Sequence, residues 1–432
     1  GIINDKHRAA GRGGLGAVMG SKNLKAIVVS GELTPSIADP ETFEKAKKRA
    51  LEGVQKNPIT KDLLPYYGTA VLVKVINEIG AFPTKNFQGG VFKDADAISG
   101  ETLRERIFEK KVACAYCPIA CGRGTKVKVP NDSTLTTFRY LEGEGPEYET
   151  VWAFGADCGV NDLEKITLAN YACNKHGLDT ISTGATIACA MELSEKKLIK
   201  EKISFGNADT ILSLIEDIAN KKNCGAELSE GSFRLASRYN SPETSMTVKK
   251  LEIPGYDPRG IQGMGLAYAT SNRGGCHLRA YLTAPEVLGN PFMIDRFTTE
   301  GKAELIILLQ NISAVVDSLV LCKFAQFALT PDHYSNLLSS AVGKKITDTE
   351  LFEIGNRIYN IERLFNVRAG NNEDTLPERL LKTPLKDGHS KNRVVNLHVM
   401  LKEYYALRGW NEFGEPGEEI LKKLKIAPST SS

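Results

Sequence analysis

Apolar residues recur at helical spacing over much of the chain. Apolar positions three and four residues apart indicate amphipathic helices, because they share one face of a helix with 3.6 residues per turn. Clusters of glycine and proline separate these stretches. The pattern therefore predicts a mainly α protein, with helices over residues 41–52, 180–198, 208–218, 302–327 and 348–365.

One segment near the beginning has the composition of a strand. Residues 24–31 are apolar, rich in β-branched side chains and end in glycine, and two prolines soon follow. A second break lies near residue 246, where a polar stretch at residues 240–245 precedes a new apolar run. The chain is therefore expected to divide into residues 1–38, a helical domain over 39–246 and a helical domain over 247–432.

The composition excludes several classes of protein. The 432 residues are 42% hydrophobic and 25% charged, as in an average globular protein. The net charge of +3 is too small and too evenly spread to indicate nucleic-acid binding. The most apolar stretch, residues 305–321, contains Gln310, Asn311 and Asp317, and so predicts a buried helix rather than a membrane span. Because no signal peptide is evident, the expected location is the cytoplasm.

Three of the nine cysteines lie close together, as Cys114, Cys117 and Cys121 with C-x2-C-x3-C spacing. An odd number of cysteines without a secretory signal argues against a disulfide framework. Three neighbouring cysteines with a remote fourth suit a [4Fe–4S] cluster. Zinc and a chance group of buried cysteines remain alternatives, although zinc sites more often pair C-x2-C with a second C-x2-C or H-x3-H.

Cys322 is the candidate for the remote fourth ligand. It closes the run Asp317-Ser-Leu-Val-Leu-Cys322, in which a lone aspartate stands among apolar residues. A buried carboxylate is costly unless it is satisfied, so this aspartate indicates a site. A cap at a helix end is the alternative explanation.

The run Gly11-Arg-Gly-Gly-Leu-Gly16 matches the G-x-G-x-x-G pattern of dinucleotide-binding loops. That interpretation requires a strand before the loop and a helix after it, whereas no strand is expected before it and one is predicted behind it. A dinucleotide fold is therefore rejected. Two alternatives remain: a phosphate cradle of bare backbone N–H groups with Arg8 and Arg12, and a tight turn.

Two further regions carry groups that can move protons. Four glutamates crowd around Gly145 and Pro146, and any one of them is either a general base or a solvated loop acid. His277 stands in Arg273-Gly-Gly-Cys-His-Leu-Arg279, where a site residue and a hydrogen-bonded structural histidine are equally consistent. The four glutamates are Glu142, Glu144, Glu147 and Glu149.

Together these motifs resemble the tungsten-containing aldehyde:ferredoxin oxidoreductase family, in the family's order and over the whole chain. The resemblance implies a mainly α fold, in which two multihelical domains follow the residual end of a β-rich, pterin-binding first domain. The segments that carry it are residues 11–27, 114–121, 145–149, 177–184, 273–277, 317–322 and 403–410.

The resemblance implies two redox cofactors. Tungsten, or molybdenum in some relatives, would be held between the dithiolenes of two pterins with no protein ligand, and magnesium would join the pterin phosphates near the glycine loop. A [4Fe–4S] cluster beside one pterin would be ligated by Cys114, Cys117, Cys121 and Cys322. The implied pterin contacts are Arg8, Ala10, Gly11, Arg12, Gly13, Asn174, Gly177, Leu178, Asp179, Asp317, Leu321 and Cys322.

The same resemblance implies the activity. Glu149 and His277 match the acid and the histidine that flank the metal. A small aldehyde would be oxidised to a carboxylic acid, and the electrons would pass through the cluster to ferredoxin, with no nucleic-acid or membrane partner. Two alternatives stay open: a catalytic subunit of the same family that reduces acyl thioesters of the benzoyl-CoA type, and an iron–sulfur relay protein without catalysis.

Four departures from the family pattern bear on these expectations. Asn174 replaces an aspartate in the first pterin motif, and Val320 replaces a glycine in the second, where it is expected to crowd the loop. Residues 168–171 lack the E-x-x-H that binds a metal between subunits in some members, so a homodimer is expected to lack that bridge. Most of the β-rich domain is missing, so the chain is expected to be the C-terminal portion of a longer protein.

Overall fold

The computed structural model of the chain describes residues 1–5, 7–128 and 142–427. Helices make up most of the regular structure in these ranges, and the strands are few and short. The expected mainly α fold is therefore confirmed. No helix in these ranges combines the length and the apolar character needed to cross a bilayer.

The strands in the described ranges form three small antiparallel sheets. They are β1 (Ile2–Asn4), β2 (Arg8–Ala10), β3 (Phe108–Val112), β4 (Gly122–Lys126), β5 (Glu142–Glu144), β6 (Thr247–Val248) and β7 (Leu251–Glu252). β1 pairs with β2, β4 lies between β3 and β5, and β6 pairs with β7. Two strands of the three-stranded sheet flank the three neighbouring cysteines. β3 ends just before Cys114, and β4 begins directly after Cys121.

The helices are joined by loops and by single 3-10 or π turns. Up to residue 240 they are α1 (Leu15–Ser21), α2 (Pro40–Lys56), α3 (Leu64–Tyr67), α4 (Leu72–Glu78), α5 (Gly100–Arg106), α6 (Tyr148–Phe154), α7 (Leu163–His176), α8 (Thr180–Glu195), α9 (Ala208–Asn220), α10 (Gly225–Leu228) and α11 (Ser232–Arg238). They continue as α12 (Gln262–Thr270), α13 (Lys302–Ser318), α14 (Pro331–Val342), α15 (Asp348–Arg368), α16 (Glu378–Lys382), α17 (Leu397–Arg408) and α18 (Glu418–Lys423).

The turn between α7 and α8 is set by its cap residues. Gly177 ends α7 with φ 69°, in the left-handed region that favours glycine at the end of a helix. Asp179 begins α8 by accepting a hydrogen bond from the Ser182 N–H at 3.0 Å. This short turn carries the first predicted pterin motif, so its backbone is fixed at both ends.

One large hydrophobic core joins the two predicted helical domains. α6 contributes Tyr148, Trp152 and Phe154, which are almost fully buried. Gly184 lets α8 approach α6 closely, because a Cβ at this glycine would lie 2.7 Å from the nearest atom of α6. The same core includes side chains of α12 and α17, which lie in the second predicted domain. The boundary near residue 246 therefore stays a prediction.

Four of the five predicted helices are confirmed, in α2, α8, α9 and α15. The fifth, predicted over residues 302–327, is too long. α13 ends at Ser318, Val320 has φ 56°, and a separate 3-10 turn covers Lys323–Phe327. In the sequence, the spacing of apolar residues continues past residue 318 and so does not show where the helix ends. The helix ends because the backbone becomes left-handed at Val320.

The strand predicted over residues 24–31 is wrong. This segment has no strand geometry, and Val28 and Val29 are 91% and 86% exposed. β-branched residues form a strand where a neighbouring strand satisfies their backbone groups, and the described ranges place none beside this segment.

The expectation that no strand precedes the glycine loop is also wrong, because the β1–β2 hairpin stands directly before it. The hairpin is antiparallel and two-stranded, and no parallel strands occur in the part of the chain that is described. A dinucleotide fold needs a parallel β-α-β unit, so its rejection holds for a different reason.

We expect Val320→Gly to stabilise the protein. A left-handed backbone costs a residue with a Cβ about 1–2 kcal/mol, and glycine returns about 0.5–1 kcal/mol of that in lost chain entropy. The net gain should be up to about 1.5 kcal/mol, measured as a higher midpoint of thermal denaturation. Val28→Gly is the matched control, since Val28 is equally exposed but lies outside the left-handed region. A Val320→Gly midpoint no higher than that of the control would contradict the expectation.

Candidate cofactor and catalytic site

Cys114, Cys117 and Cys121 lie on one tight loop between β3 and β4. Tyr116 and Ala120 both have φ 56°, and the Cys117 N–H donates to the Cys114 carbonyl at 3.1 Å. The two left-handed residues fold the loop back, so the three thiols come within electrostatic range of one another. Cys114 is exposed, whereas the other two are partly buried.

Cys322 comes to the same place from a distant part of the sequence. Phe324 and Phe327, in the 3-10 turn that follows it, pack against the same small buried cluster as Cys117 and Cys121 do. Burial raises the pKa of the Cys322 thiol, and the neighbouring Cys117 and Cys114 also raise it. The four cysteines predicted as cluster ligands therefore lie together.

The spacing of these thiols bears on the kind of metal. Within the described residues, no three His, Cys, Asp or Glu side chains converge as ligands of a single metal ion. Zinc requires such convergence, because its ligands meet at one tetrahedral ion. The cysteines of an iron–sulfur cluster bind separate irons, so they must surround a space rather than meet at a point. The described residues favour neither metal, so the iron–sulfur and zinc interpretations both stay predictions.

Arg12 fixes the glycine loop against two other predicted site segments. Its Nη1 donates to the Gly275 carbonyl at 2.9 Å, and its Nη2 donates to a carbonyl of β7. Its Nε lies 3.3 Å from Asp179 Oδ2, close enough for an ion pair but not aligned for a hydrogen bond. Arg273 in turn donates to the Arg12 carbonyl at 3.1 Å. The loop therefore lies between the first pterin motif and the segment that carries the candidate histidine.

The backbone of the glycine loop is bare. Ala10 ends β2 and Gly11 follows it, and then Gly13 and Gly14 take φ values of 100° and 76°. A Cβ at either of these last two glycines would meet no atom within 4 Å. Glycines in such conformations expose successive N–H groups that can bind an anion. The open surroundings favour the phosphate cradle over a merely structural turn.

Arg8, at the start of β2, reaches the cysteine loop. Its Nε donates to Cys114 Sγ at 2.9 Å, and its Nη1 pairs with Glu144 Oε2 at 2.6 Å. The strand that leads into the glycine loop is thus tied by one side chain to the candidate cluster.

Two cations hold Asp317, in the last turn of α13. Arg279 Nη1 lies 2.8 Å from Asp317 Oδ2, and Lys323 Nζ lies 2.9 Å from Oδ1. The Asp317 side chain is 39% exposed, so the expectation of a buried acid is wrong. The reason is that α13 ends directly behind it, which also leaves Val320 and Leu321 exposed.

Glu149 and His277 lie side by side in the interior. His277 Nε2 is 3.7 Å from Glu149 Oε1, and the Gly255 N–H donates to Glu149 Oε2 at 2.9 Å. Glu149 Oε1 and His277 Nδ1 are buried and have no hydrogen-bond partner among the described residues. Buried polar atoms are nearly always paired, so two unpaired atoms in one place indicate a site for a ligand.

Burial keeps both groups largely uncharged near neutral pH. It raises the pKa of Glu149 to about 8, against the opposing hydrogen bond from Gly255. It lowers the pKa of His277 to about 3, and the positive charges of Arg12 and Arg273 act in the same direction. At pH 7 the glutamate is mostly a neutral acid and the histidine a neutral imidazole, so they do not form an ion pair.

Aromatic rings surround this pair. The Tyr256 ring stacks on Tyr148 with centroids 5.0 Å apart, and it lies 5.6 Å from the His277 ring. Tyr281 lies 6.1 Å from His277 and 6.3 Å from Phe327, in the turn that follows the cluster cysteine. These rings exclude water from the pair, which explains why burial dominates both pKa shifts.

Glu149 is the member of the crowded glutamate group that faces His277. The other three have different contacts: Glu142 pairs with Lys126, Glu144 with Arg8, and Glu147 accepts a hydrogen bond from Thr69. The structure therefore separates one candidate base from three acids with local structural contacts.

Comparison with known proteins decides the family. A family model described as aldehyde ferredoxin oxidoreductase, domains 2 and 3, matches residues 45–426, and the N-terminal domain of the same family matches residues 1–31. This chain belongs to the aldehyde ferredoxin oxidoreductase family. It is an oxidoreductase, and the resemblance seen in the motifs is confirmed.

Individual relatives agree with this assignment. The tungsten-containing aldehyde ferredoxin oxidoreductase of Pyrococcus furiosus is 47% identical over 437 residues, which cover 99% of this chain and 71% of the relative. The enzyme of the same name from Thermococcus kodakarensis is 46% identical with the same coverage. Among solved structures, the active site complex BamBC of benzoyl coenzyme A reductase with 1,5-dienoyl-CoA matches 96% of this chain and 69% of that chain, with a TM-score of 0.74. Its identity is only 20%, so this last similarity concerns the fold alone.

The structure of this aldehyde ferredoxin oxidoreductase family member explains one departure from the family pattern. Val320 stands where the pattern has glycine, and its φ of 56° is a conformation that glycine adopts without cost. Its side chain is 90% exposed, so valine strains the backbone but does not crowd the loop. The expected crowding is therefore wrong.

Several residues of the site were not expected from the sequence. Lys323, Tyr256 and Tyr281 were not singled out, and Arg279 was noted only as a neighbour of His277. Lys323 directly follows the candidate cluster cysteine, which was a usable signal. The tyrosines carried none, because a tyrosine at an apolar position usually belongs to the core.

We expect Glu149→Gln to reduce the loss of stability that the unchanged protein shows as the pH rises from about 5 to 8. The pKa of about 8 in the folded protein lies above the ordinary value of 4.5, so the folded state holds a proton that the unfolded chain releases between these values. Stability therefore falls from about pH 5 to pH 8, by on the order of 1 kcal/mol or more. Thermal midpoints at pH 5 and pH 8 measure this fall, which should be smaller in Glu149→Gln.

The control for this experiment is Glu142→Gln, which changes an exposed acid of the same segment. It should keep the pH dependence of the unchanged protein. If Glu149→Gln and Glu142→Gln gave the same pH dependence, the burial argument for Glu149 would be wrong.

Proposed function

We propose that this chain carries the catalytic centre of a tungsten enzyme that oxidises aldehydes, R–CHO + H2O → R–COOH + 2e⁻ + 2H⁺, and passes the electrons through a [4Fe–4S] cluster to ferredoxin. The observation that supports it most is the buried pair Glu149 and His277, with one unpaired polar atom each, beside the bare glycine loop. The names of the relatives supply the substrate class and the acceptor.

The residues present fit a tungsten bis-pterin group. The open glycine loop offers backbone donors to phosphate, and the unpaired atoms of Glu149 and His277 mark where the reacting part would lie. Bound there, the metal centre supplies the two-electron oxidation. We assign the pterin contacts to Arg8, Ala10, Gly11, Arg12 and Gly13 of the loop region, to Asn174, Gly177, Leu178 and Asp179, and to Asp317, Leu321 and Cys322.

Glu149 is the group that accepts a proton in this proposal. A general base works best when its pKa lies near the operating pH. Burial has raised the pKa of the Glu149 carboxyl to about 8. Its ionised fraction takes the proton from water as water adds to the aldehyde carbon. A normal surface carboxylate would be a much weaker base.

His277 is the group that stabilises the developing oxyanion. Its low pKa keeps the imidazole neutral, and a neutral imidazole donates one N–H without adding a buried charge. The ring is held between Tyr256 and Tyr281, so the donor is fixed in direction before substrate arrives.

The four candidate cluster cysteines provide the exit route for electrons to the surface of the protein. Cys114 is exposed in the described part of the chain, and Tyr116 at the tip of the loop is fully exposed. A cluster there would lie close enough to the surface for ferredoxin to approach. For the protein as a whole, we propose a location in the cytoplasm. We also propose magnesium at the pterin phosphates, near the glycine loop.

The alternatives have less support than the tungsten enzyme. Asn174 and Val320, which depart from the family's pterin motifs, are the features that favour the relay protein. The benzoyl coenzyme A reductase match supports a shared fold only. A relay protein without catalysis has no use for an unpaired buried acid and histidine, which cost stability. A homodimer would lack a metal bridge at residues 168–171, because this segment has neither the glutamate nor the histidine of the family's E-x-x-H.

Elemental and pterin analysis of the anaerobically purified protein tests the proposal. Tungsten or molybdenum together with pterin and about four irons per chain would support it. Iron without tungsten, molybdenum or pterin would favour the relay protein instead. Zinc in place of iron would overturn the cluster assignment.

We expect Glu149→Gln to lower aldehyde oxidation at least about 100-fold, because the amide cannot accept the proton. Turnover is measured with an aldehyde and an artificial electron acceptor, and tungsten and iron are determined in the same samples. The metal content should stay normal, and Glu142→Gln should remain active. Loss of tungsten in Glu149→Gln would instead make Glu149 a structural residue.

We expect Cys322→Ala to remove the electron paramagnetic resonance signal of the reduced cluster and to lower the iron content. The change removes the proposed cluster ligand that lies in the second predicted helical domain. Cys224→Ala is the matched control, since Cys224 is a partly exposed free cysteine of another region. An unchanged cluster signal in Cys322→Ala would refute the assignment of this ligand.

A further inference from the structure

Arg8 makes an unusual contact for a residue assigned to the pterin. Its Nε donates to Cys114 Sγ at 2.9 Å, so a cationic side chain bonds directly to a sulfur of the candidate cluster. Its Nη1 donates to Glu144 Oε2 at 2.6 Å and to the His7 carbonyl at 3.3 Å. These bonds together fix the direction of the guanidinium.

Glu144 is itself held firmly. Its side chain is 8% exposed, and it lies on β5, which pairs with β4 through Gly124. Its carboxylate packs on Gly122, where a Cβ would overlap it. Since Gly122 directly follows the cluster residue Cys121, the acid that orients Arg8 is anchored to the same loop as the sulfur that Arg8 contacts.

An arginine side chain is not deprotonated in proteins. The guanidinium is therefore charged at any working pH. A fixed positive charge with an N–H directed at a sulfur is the arrangement that stabilises the more negative, reduced state of an iron–sulfur cluster.

We propose that Arg8 is a positioning and tuning residue of the cluster, which raises its reduction potential through a hydrogen bond to the Cys114 sulfur. This inference rests on the proposed [4Fe–4S] cluster. It does not conflict with a pterin contact, because Nη2 is not used by Cys114 or Glu144. Arg8 can thus donate to the Cys114 sulfur through Nε and still contact a pterin through Nη2.

The consequence for electron flow has a definite sign. A higher potential makes the cluster a better acceptor for electrons that arrive from the metal centre. Removal of the N–H and the charge lowers the potential, so electrons remain longer on the metal centre. The effect should appear in the cluster itself, whether or not substrate is present.

Redox titration of the cluster tests the proposal in the anaerobically purified chain, followed by electron paramagnetic resonance of the reduced form. Arg8→Gln should keep the iron content and show a lower midpoint potential. Arg8→Lys keeps the charge but loses the Nε–H, so we expect a smaller shift in the same direction. Arg238→Gln is the matched control, because Arg238 also pairs with a glutamate but bonds to no sulfur; it should leave the potential unchanged.

The outcomes separate the inference from the function on which it rests. A cluster in every variant, with the same potential in Arg8→Gln as in Arg238→Gln, would overturn the role of Arg8 and leave the proposed function intact. Absence of any cluster in the unchanged protein would overturn both. If Arg8→Gln does not fold, Arg8→Lys decides, and an unchanged potential there would overturn the hydrogen bond as the cause.

Discussion

The guanidinium of Arg12 holds the candidate site together. It donates to the Gly275 carbonyl and to a carbonyl of β7, and it pairs with Asp179, so it joins the glycine loop, the first pterin motif and the segment of His277. Those segments are far apart in sequence, and the contacts of this one side chain join them. A planar cation with donors on several edges is suited to joining carbonyls and a carboxylate from different segments.

Arg12 also acts on the two groups that carry the proposed chemistry. Its charge lowers the pKa of His277 in the same direction as burial, but for Glu149 it opposes burial. Burial dominates at Glu149, so the acid is mostly protonated at neutral pH, with its pKa still within reach of the working range. Less burial would lower the pKa of Glu149, and loss of the Arg12 charge would raise it. Geometry and proton affinity therefore depend on the same side chain.

The sequence predicted the helices well because their apolar spacing and caps are local properties, as α8 and α15 show. It failed where a neighbour decides the outcome. Residues 24–31 have strand composition, but the described part of the chain places no strand beside them. The helix predicted over residues 302–327 stops because the backbone turns left-handed at Val320.

For the site, the cysteine spacing and the glycine loop were visible as patterns. The choice of Glu149 among four glutamates came only from the family resemblance, because all four share the same local composition. The bond of Arg8 to Cys114 joins residues 106 positions apart, and the partners of Asp317 depend on how α13 ends. Contacts of this kind follow from the tertiary fold, and no local pattern reports them.

The end of α13 shows how one short segment can serve two centres. If the helix continued, Cys322 would lie about 7.5 Å farther along the axis than Asp317 and about 140° around it. The left-handed residue at position 320 breaks this relation, so Asp317 stays with Arg279 while Cys322 turns toward the cysteine loop. The valine side chain there is exposed, so the cost is limited to backbone strain of about 1–2 kcal/mol. That strain is small, and in the proposed site it lets one short segment supply both a pterin contact and a cluster ligand, which would keep the two redox centres close.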